Sequence, residues 1–348
     1  MPSFRSSTVV EIIASRVGLQ RLRLSDGSGA IALTQVVGDV AVGDDVVVNT
    51  TAVELGLGTG GWHVVQWNLA RRELHHPGPG HIMKVRYTGG QLDTGAAEEV
   101  PGAVHAGIPH LGGVPILVGS LHSQMGVAAQ VVHHLDPTVR ISYVMTDGAA
   151  LPLVISDLVA ALSERGVLTG TITAGHAFGG DLEAVSVPSA LQVALEVQRA
   201  DVVICTMGPG VVGTATALGT TAVEVAGILT AAHQLGGHPV MMLRASEADD
   251  RPRHLGVSHH SRTALTLTPV AVDVPHPGEL TGILGAINPH RAIPCEGPDI
   301  ATVLDHGGVA VTSMGRGHRD DPLFFRTVGS AAAHATKLRG AEGTVCAE

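Results

Sequence analysis

The chain has 348 residues, 45% hydrophobic and 15% charged, with 21 Lys and Arg against 31 Asp and Glu for a formal charge of −10. That composition fits about two globular domains and excludes disorder, which needs low hydrophobicity and high charge. A net acidic chain also argues against non-specific partners such as nucleic acid or a membrane surface. Its three cysteines, Cys205, Cys295 and Cys346, form no Cys-x-x-Cys pair. A disulfide scaffold or a cysteine zinc site is therefore not expected, and reduced thiols fit the cytoplasm. The N-terminus, MPSFRSSTVVEII, has no long apolar run of the secretory kind. Other apolar runs are broken before the ~18 residues that suggest a membrane span. Lys84 and Lys337 are the only lysines, which reads as a GC-rich bacterial coding bias.

Residues 1–75 read as short strands. VVEIIAS, the alternating QRLRLS, AIALTQV, DDVVVNTTAV and GWHVVQWNL are separated by Asp26-Gly27, Gly38-Asp39, Gly43-Asp44 and the GLGTGG turn. Strands punctuated in this way predict a small β-barrel-like domain. Trp62 and Trp67 are expected to fill a core short of large side chains, with a ligand-stacking platform as the alternative. HHPGPG marks a boundary. Residues 76–110 then form a connecting strand and loop, with HIMKVRYT as the strand: His81, Met83, Val85 and Tyr87 on one face, Lys84 and Arg86 on the other.

The pattern changes over residues 111–348. VPILVGS, ISYVMTDG, TGTITAG, DVVICTMG, HPVMMLRA, PVAVDVP and GVAVTSM alternate with helical stretches such as MGVAAQVVHHL and TATALGTTAVEVAGILTAAHQLGG, and LFFRTVGSAAAHATKL closes the series. Near-continuous β-branched runs alternating with helices predict a mainly parallel, doubly wound sheet in a three-layer α/β sandwich.

In such a sheet the segments after each strand share the carboxyl edge, where open α/β sheets bind ligands. Here these segments are polar: His122-Ser123-Gln124, Asp147-Gly148, the stretch from His176 through Asp181 to Glu183, Gly208 to Thr214, and Arg244 with Asp249, Arg251, Arg253, His254 and Ser258-His259-His260 beyond it. Gly208, Gly210 and Gly213 match G-x-G-x-x-G between a strand and a helix, a pattern that lets backbone approach an anion at a helix N-terminus. Pro209 within the motif and its place on the fourth strand weaken a dinucleotide reading. His122-Ser123-Gln124 invites comparison with a nucleophile elbow, but Leu121 and Met125 stand where small residues are needed. Asp147 and His176 follow Ser123 in the hydrolase chain order, which keeps a serine nucleophile as an alternative to the commoner role of such a serine, capping a helix.

The chain holds 20 histidines. His176 with Asp181 and Glu183, and His254 with His259 and His260, bring imidazole and carboxylate together, the usual ligands of catalytic transition metals. Their spacing matches no compact metal motif.

GHIMKVRYT, SLHSQM, YVMTDGAALPL, TITAGHAFGGDLEAV, MGPGVVGTATALG and RHLGVSHHS together resemble a bacterial family catalogued as domain of unknown function 3866. The resemblance spans nearly the whole chain. It implies a bacterial, intracellular protein and transfers no activity, substrate or catalytic residue.

The residues themselves lead to a hydrolase or group transferase acting on a small anionic or phosphorylated molecule. Asp147, His176, Asp181, Glu183 and His122 are the candidate acid/base groups. Gly208, Gly210, Gly213, Thr214, Arg244, Arg251 and Arg253 are the candidate anion-binding residues. His176, His254, His259 and His260 are the candidate ligands of a divalent transition metal. A non-catalytic nucleotide-like binding or sensing module and a nicotinamide-dependent oxidoreductase are the alternatives. A homo-oligomer is compatible with all three.

Overall fold

A computed structural model describes residues 1–57 and 60–342, with side chains described to residue 339; Cys346 lies outside them. The chain divides into two compact units, Met1–Gly95 and Ala96–Glu348.

In the first unit, β1 (Phe4–Arg16), β2 (Leu19–Leu24), β3 (Gly29–Leu33), β4 (Asp45–Asn49) and β5 (Trp62–Asn68) close a barrel in the order β1-β2-β3-β5-β4. The antiparallel order β4-β1-β2-β3 is a Greek key, and β5 closes the ring in parallel with β3 and antiparallel to β4. Alternation builds the core: Leu22, Leu24, Ala30, Ala32, Val46, Val48 and Val65 point inward with Val9, Val37 and Val40. Neither tryptophan joins it, contrary to the sequence expectation. The Trp62 ring lies over Gly29, where a Cβ would come within 2.7 Å of it, with the Arg21 guanidinium 5.7 Å from its centroid. Trp67 is half-buried, and its indole N–H donates to the Arg71 carbonyl.

HIMKVRYT is not the expected strand. Only β6 (Met83–Lys84) is extended, paired with β7 (Leu92–Asp93). Val85 and Tyr87 take φ of 50° and 61°, which breaks the strand, and the two faces are not as expected: Lys84 is buried and Tyr87 exposed.

The second unit carries an eight-stranded sheet. Its strands are β8 (Pro115–Gly119), β9 (Ile141–Thr146), β10 (Gly170–Ala174), β11 (Leu182–Ala184), β12 (Val202–Met207), β13 (His238–Met242), β16 (Asp273–His276) and β17 (Arg291–Pro294). A short antiparallel ribbon, β14 (Ala245–Ser246) with β15 (Gly256–Val257), lies outside the sheet. The sheet order is β11-β10-β9-β12-β8-β13-β16-β17, with every pair parallel. β8, β9, β10 and β12 are buried throughout, as a sheet covered on both faces requires. Leu117, Tyr143, Met145 and Ile204 pack against the helices His122–Leu135, Asp157–Glu164, Ile300–Gly307 and Pro322–Glu342. Ile116, Val118, Val144 and Val203 pack on the other face against Val187–Glu196, Glu224–Gln234 and His259–Leu267.

The connections from β8 to β9 and from β9 to β10 step toward the β11 edge, and their helices cover one face. Those from β12 to β13 and from β13 to β16 step toward the β17 edge, and their helices cover the other. The winding therefore reverses between the neighbours β9 and β12, which opens a crevice at their carboxyl ends.

GVAVTSM is not a strand. Val309 and Val311 are buried in the helical layer, and only a Ser313–Arg316 bridge is formed. β17 takes the edge of the sheet instead. Among the described residues no helix is long and apolar enough to cross a membrane.

Candidate functional site

Two groups of side chains flank the carboxyl edge. The first is at the crevice. Thr146 ends β9, and its hydroxyl donates to Glu224 Oε1 at 2.6 Å. Glu224 opens the helix behind β12, and its carboxyl lies against the Cα of Gly148, with no room for a Cβ there. Burial, and then the neighbouring charge of Asp147, push the Glu224 carboxyl up to about 7 despite the Thr146 hydrogen bond. Asp147 is exposed, and its Oδ2 accepts the His176 backbone N–H at 3.0 Å. The Ala150 N–H donates to the Pro209 carbonyl at 2.9 Å and ties the two crevice loops together.

The second group follows β13. The ribbon of β14 and β15 closes residues 247–255 into a loop that carries Asp249, Arg251, Arg253 and His254. Ser258 then caps the helix His259–Leu267. Its Oγ accepts the His260 N–H at 3.2 Å and lies 2.7 Å from His254 Nδ1. This folds His254 back onto His259 and His260, with ring centroids 4.2 to 5.1 Å apart. One ligand-type nitrogen from each lies within 4.8 Å of the others. His254 Nε2, His259 Nε2 and both ring nitrogens of His260 are buried without a hydrogen-bond partner among the described residues. Each such atom ordinarily costs about 1–3 kcal/mol. Burial, then Arg244 and Arg251, lower His254 to about 3. Burial, then His259 and Arg244, lower His260 to about 4. Burial, then Arg253 and Arg244, lower His259 as well. At neutral pH all three are uncharged and keep a lone pair.

Arginines surround these imidazoles. Arg244, buried at the end of β13, pairs with Asp249 at 3.1 Å. Arg251 grips the same carboxylate through Nε and a terminal nitrogen at 2.8 and 2.9 Å, and Arg316 reaches it at 3.4 Å. Burial would raise the Asp249 carboxyl, but the Arg251 hydrogen bonds and the charges of Arg251 and Arg244 hold it well below the usual range. Arg316 also contacts Asp321 at 3.3 Å. The buried Nε of Arg253 has no partner among the described residues.

Other predicted residues are held elsewhere. His122 opens its helix with both ring nitrogens engaged, Nε2 with Ser156 Oγ at 2.7 Å and Nδ1 with Tyr143 OH at 3.1 Å. Burial lowers it to about 4. Ser123 has no histidine partner among the described residues, so a serine triad is not assembled. The loop after β10 turns back to place β11 beside it. Asp181 Oδ2 accepts from the Thr171 N–H and hydroxyl at 2.8 and 2.9 Å, near the amino end of β10. Glu183 accepts from Thr173 Oγ1 and from the Gly179 N–H. Both carboxylates fasten the short edge strand β11, Asp181 at the amino end of β10 and Glu183 near its carboxyl end, where it also holds the loop at Gly179. His176 lies after β10, with β9, β12 and β8 between it and β13, after which the other predicted metal ligands follow, and it belongs to neither cluster with metal-ligand spacing.

The glycine loop differs from its expected form. A bridge between Gly213 and Thr220 closes a small hairpin that holds Thr214, and the helix begins only at Glu224, after the turn Thr221–Val223. No helix N-terminus follows Gly213, and a carboxylate occupies the one further on. The dinucleotide reading loses its geometric basis. Gly208 is needed because a Cβ would meet the Ala150 carbonyl at 2.5 Å, and Gly210 has φ +97°.

Sequence reasoning did not find Glu224, Arg316 or Asp321. Glu224 looks like an ordinary first-turn acid, and Arg316 and Asp321 lie far along the chain from the loop that they join. A second cluster with metal-ligand spacing was also not foreseen: His238 and His334 both contact Asp273 Oδ2 at 2.7 Å. Asp273 also takes Arg291 at 2.5 Å, so three cationic or donor groups already share its carboxylate.

The chain belongs to the family described as protein of unknown function (DUF3866), whose model matches residues 29–332. No curated protein and no solved structure matches it.

Proposed function

We propose that the second unit is an enzyme, a hydrolase or group transferase, acting on a small anionic molecule of the phosphate-ester class at the carboxyl edge of its sheet. The observation that carries this reading is the imbalance of charge beside β13. Arg244 and Arg251 share the Asp249 carboxylate, Arg316 divides itself between Asp249 and Asp321, and Arg253 adds a fourth guanidinium with no partner at its buried Nε among the described residues. Guanidinium groups held in place bind phosphate and carboxylate through paired hydrogen bonds. The loop from Gly208 to Val223 links this cluster to the crevice, because Gly213 touches His260 and Glu224 follows Val223. Glu224, with its pKa raised to about 7, is matched to proton transfer near neutral pH. Asp147 stands beside it as the second carboxylate. The buried free thiols Cys205 and Cys295 favour a cytoplasmic setting.

The test is calorimetric titration of the full chain with inorganic phosphate, pyrophosphate and simple phosphate esters, followed by a turnover screen. We expect binding that Arg253→Ala weakens by about 10- to 150-fold, one charge-assisted contact being worth about 1.5–3 kcal/mol. Turnover should be lost in Glu224→Gln while binding remains. No binding of any of these anions at millimolar concentration would refute the reading. Binding without turnover of any ester would leave a non-catalytic anion-sensing module, which the engagement of both crevice carboxylates by Thr146 and the His176 backbone favours.

A further inference from the structure

We propose that His254, His259 and His260 form a site for one divalent transition metal ion of the zinc class, with a fourth position open. The site lies beside the arginine cluster assigned above to the anionic molecule and depends on that reading only for the identity of the fourth ligand.

Three observations converge. His254 and His260 are 1% and 4% exposed, yet three of their four ring nitrogens have no hydrogen-bond partner among the described residues, and His259 Nε2 has none either. Buried polar atoms are nearly always satisfied, so a cluster of orphans facing one another implies a missing common partner. One nitrogen from each ring lies within 4.8 Å of the others. Tetrahedral zinc with Zn–N of ~2.0–2.1 Å needs them roughly 3.3 Å apart, so metal binding draws the three rings closer together. The remaining observation concerns His254 Nδ1, which lies 2.7 Å from Ser258 Oγ. With the proton on Nδ1, the lone pair falls on Nε2, the orphaned atom. Metal-bound imidazoles ordinarily make such an outer contact.

All-imidazole ligation selects zinc and its neighbours over calcium or magnesium, which take oxygen. The charges of Arg244, Arg251 and Arg253 oppose a bare dication. They favour one whose fourth ligand is an anion, either hydroxide or an oxygen of the substrate. His238, Asp273 and His334 lack this character, because Asp273 already receives two imidazoles and Arg291.

The experiment uses untagged full chain, stripped by chelator and titrated with Co(II), then competed with Zn(II). We expect one equivalent bound, with the visible bands of four-coordinate cobalt, and no competition from Mg(II) or Ca(II). His260→Ala should weaken binding by about 100-fold or more, more than the loss of an outer contact. His259→Ala, at a half-buried position, should do the same in a variant less prone to misfold. His238→Ala should keep the full equivalent. The proposal fails if the folded wild type binds no cobalt, if His259→Ala binds as wild type does, or if His238→Ala loses the metal. Phosphate titration of the metal-free protein separates the two readings: phosphate bound where no metal binds sinks the metal site and leaves the anion-binding arginines.

Discussion

Gly213 lies directly against the ring of His260: a Cβ added at Gly213 would stand 2.5 Å from Cε1 and 3.0 Å from Nε2. The glycine is needed for an imidazole rather than for a phosphate. His260 is buried, so its ring has little room to retreat. Gly213→Ala should therefore cost about 1–3 kcal/mol through overpacking. Urea unfolding measures it. A companion Gly210→Ala variant separates the mechanisms, because nothing lies within 4 Å of a Cβ at Gly210 and only its φ of +97° opposes the change. The two should differ in cobalt affinity, with Gly213→Ala weakened and Gly210→Ala close to wild type.

That glycine shows where the sequence is readable and where it misleads. The β-branched runs of β8, β9, β10 and β12 are legible because a strand buried on both faces must be apolar throughout. The edges of the sheet are not. β17 is mostly exposed and reads as a loop, and β11 is three residues long and looks like a catalytic segment because Glu183 sits in it. Val309 and Val311 mimic a strand because both are buried, although against helices. At the site, the histidines after β13 are conspicuous in the sequence. Glu224 is not, since its raised pKa comes from burial and from Asp147, which lies far from it in the chain.

Asp249 should be the most sensitive charged position in the second unit. Arg244 is only 3% exposed, and its partner is this carboxylate, which Arg251 and Arg316 share. Removing one side of a buried pair leaves the other desolvated, at a cost of about 3–5 kcal/mol. Asp249→Asn should fall in that range by denaturant unfolding, whereas Asp305→Asn, at the exposed Arg319 contact, should cost less than about 1 kcal/mol. Similar costs for the two variants would remove Asp249 from its place as the common counter-ion.

Glu224 gives a pH dependence of definite sign. Its carboxyl is raised from 4.5 to about 7 in the folded protein. The folded state therefore holds a proton that the unfolded state releases. Stability from this group is fully present below pH 4.5 and is lost as pH rises through about 7. Glu224→Gln, which mimics the protonated form, should gain on wild type between pH 5 and pH 8 by on the order of 2 kcal/mol. Urea midpoints at the two pH values decide it. A constant difference between the two proteins would mean that the carboxyl ionises normally in the fold.

His122 should act at the other end of the scale. Burial lowers it from 6.5 to about 4, and its ring nitrogens are engaged by Ser156 and Tyr143 rather than by solvent. Above pH 6.5 it is neutral in both states and has no effect. As pH falls from 6.5 toward 4, the unfolded chain takes up a proton that the folded one refuses, and stability drops by up to about 3 kcal/mol. His122→Gln keeps hydrogen-bonding groups in place without a titrating one. We expect it to be less stable than wild type at pH 7.5, from imperfect packing between Ser156 and Tyr143, and to close that gap by pH 4.5. If the two unfolding curves stay parallel across that range, the His122 imidazole is protonated within the fold, and the Ser156 and Tyr143 contacts do not hold it neutral.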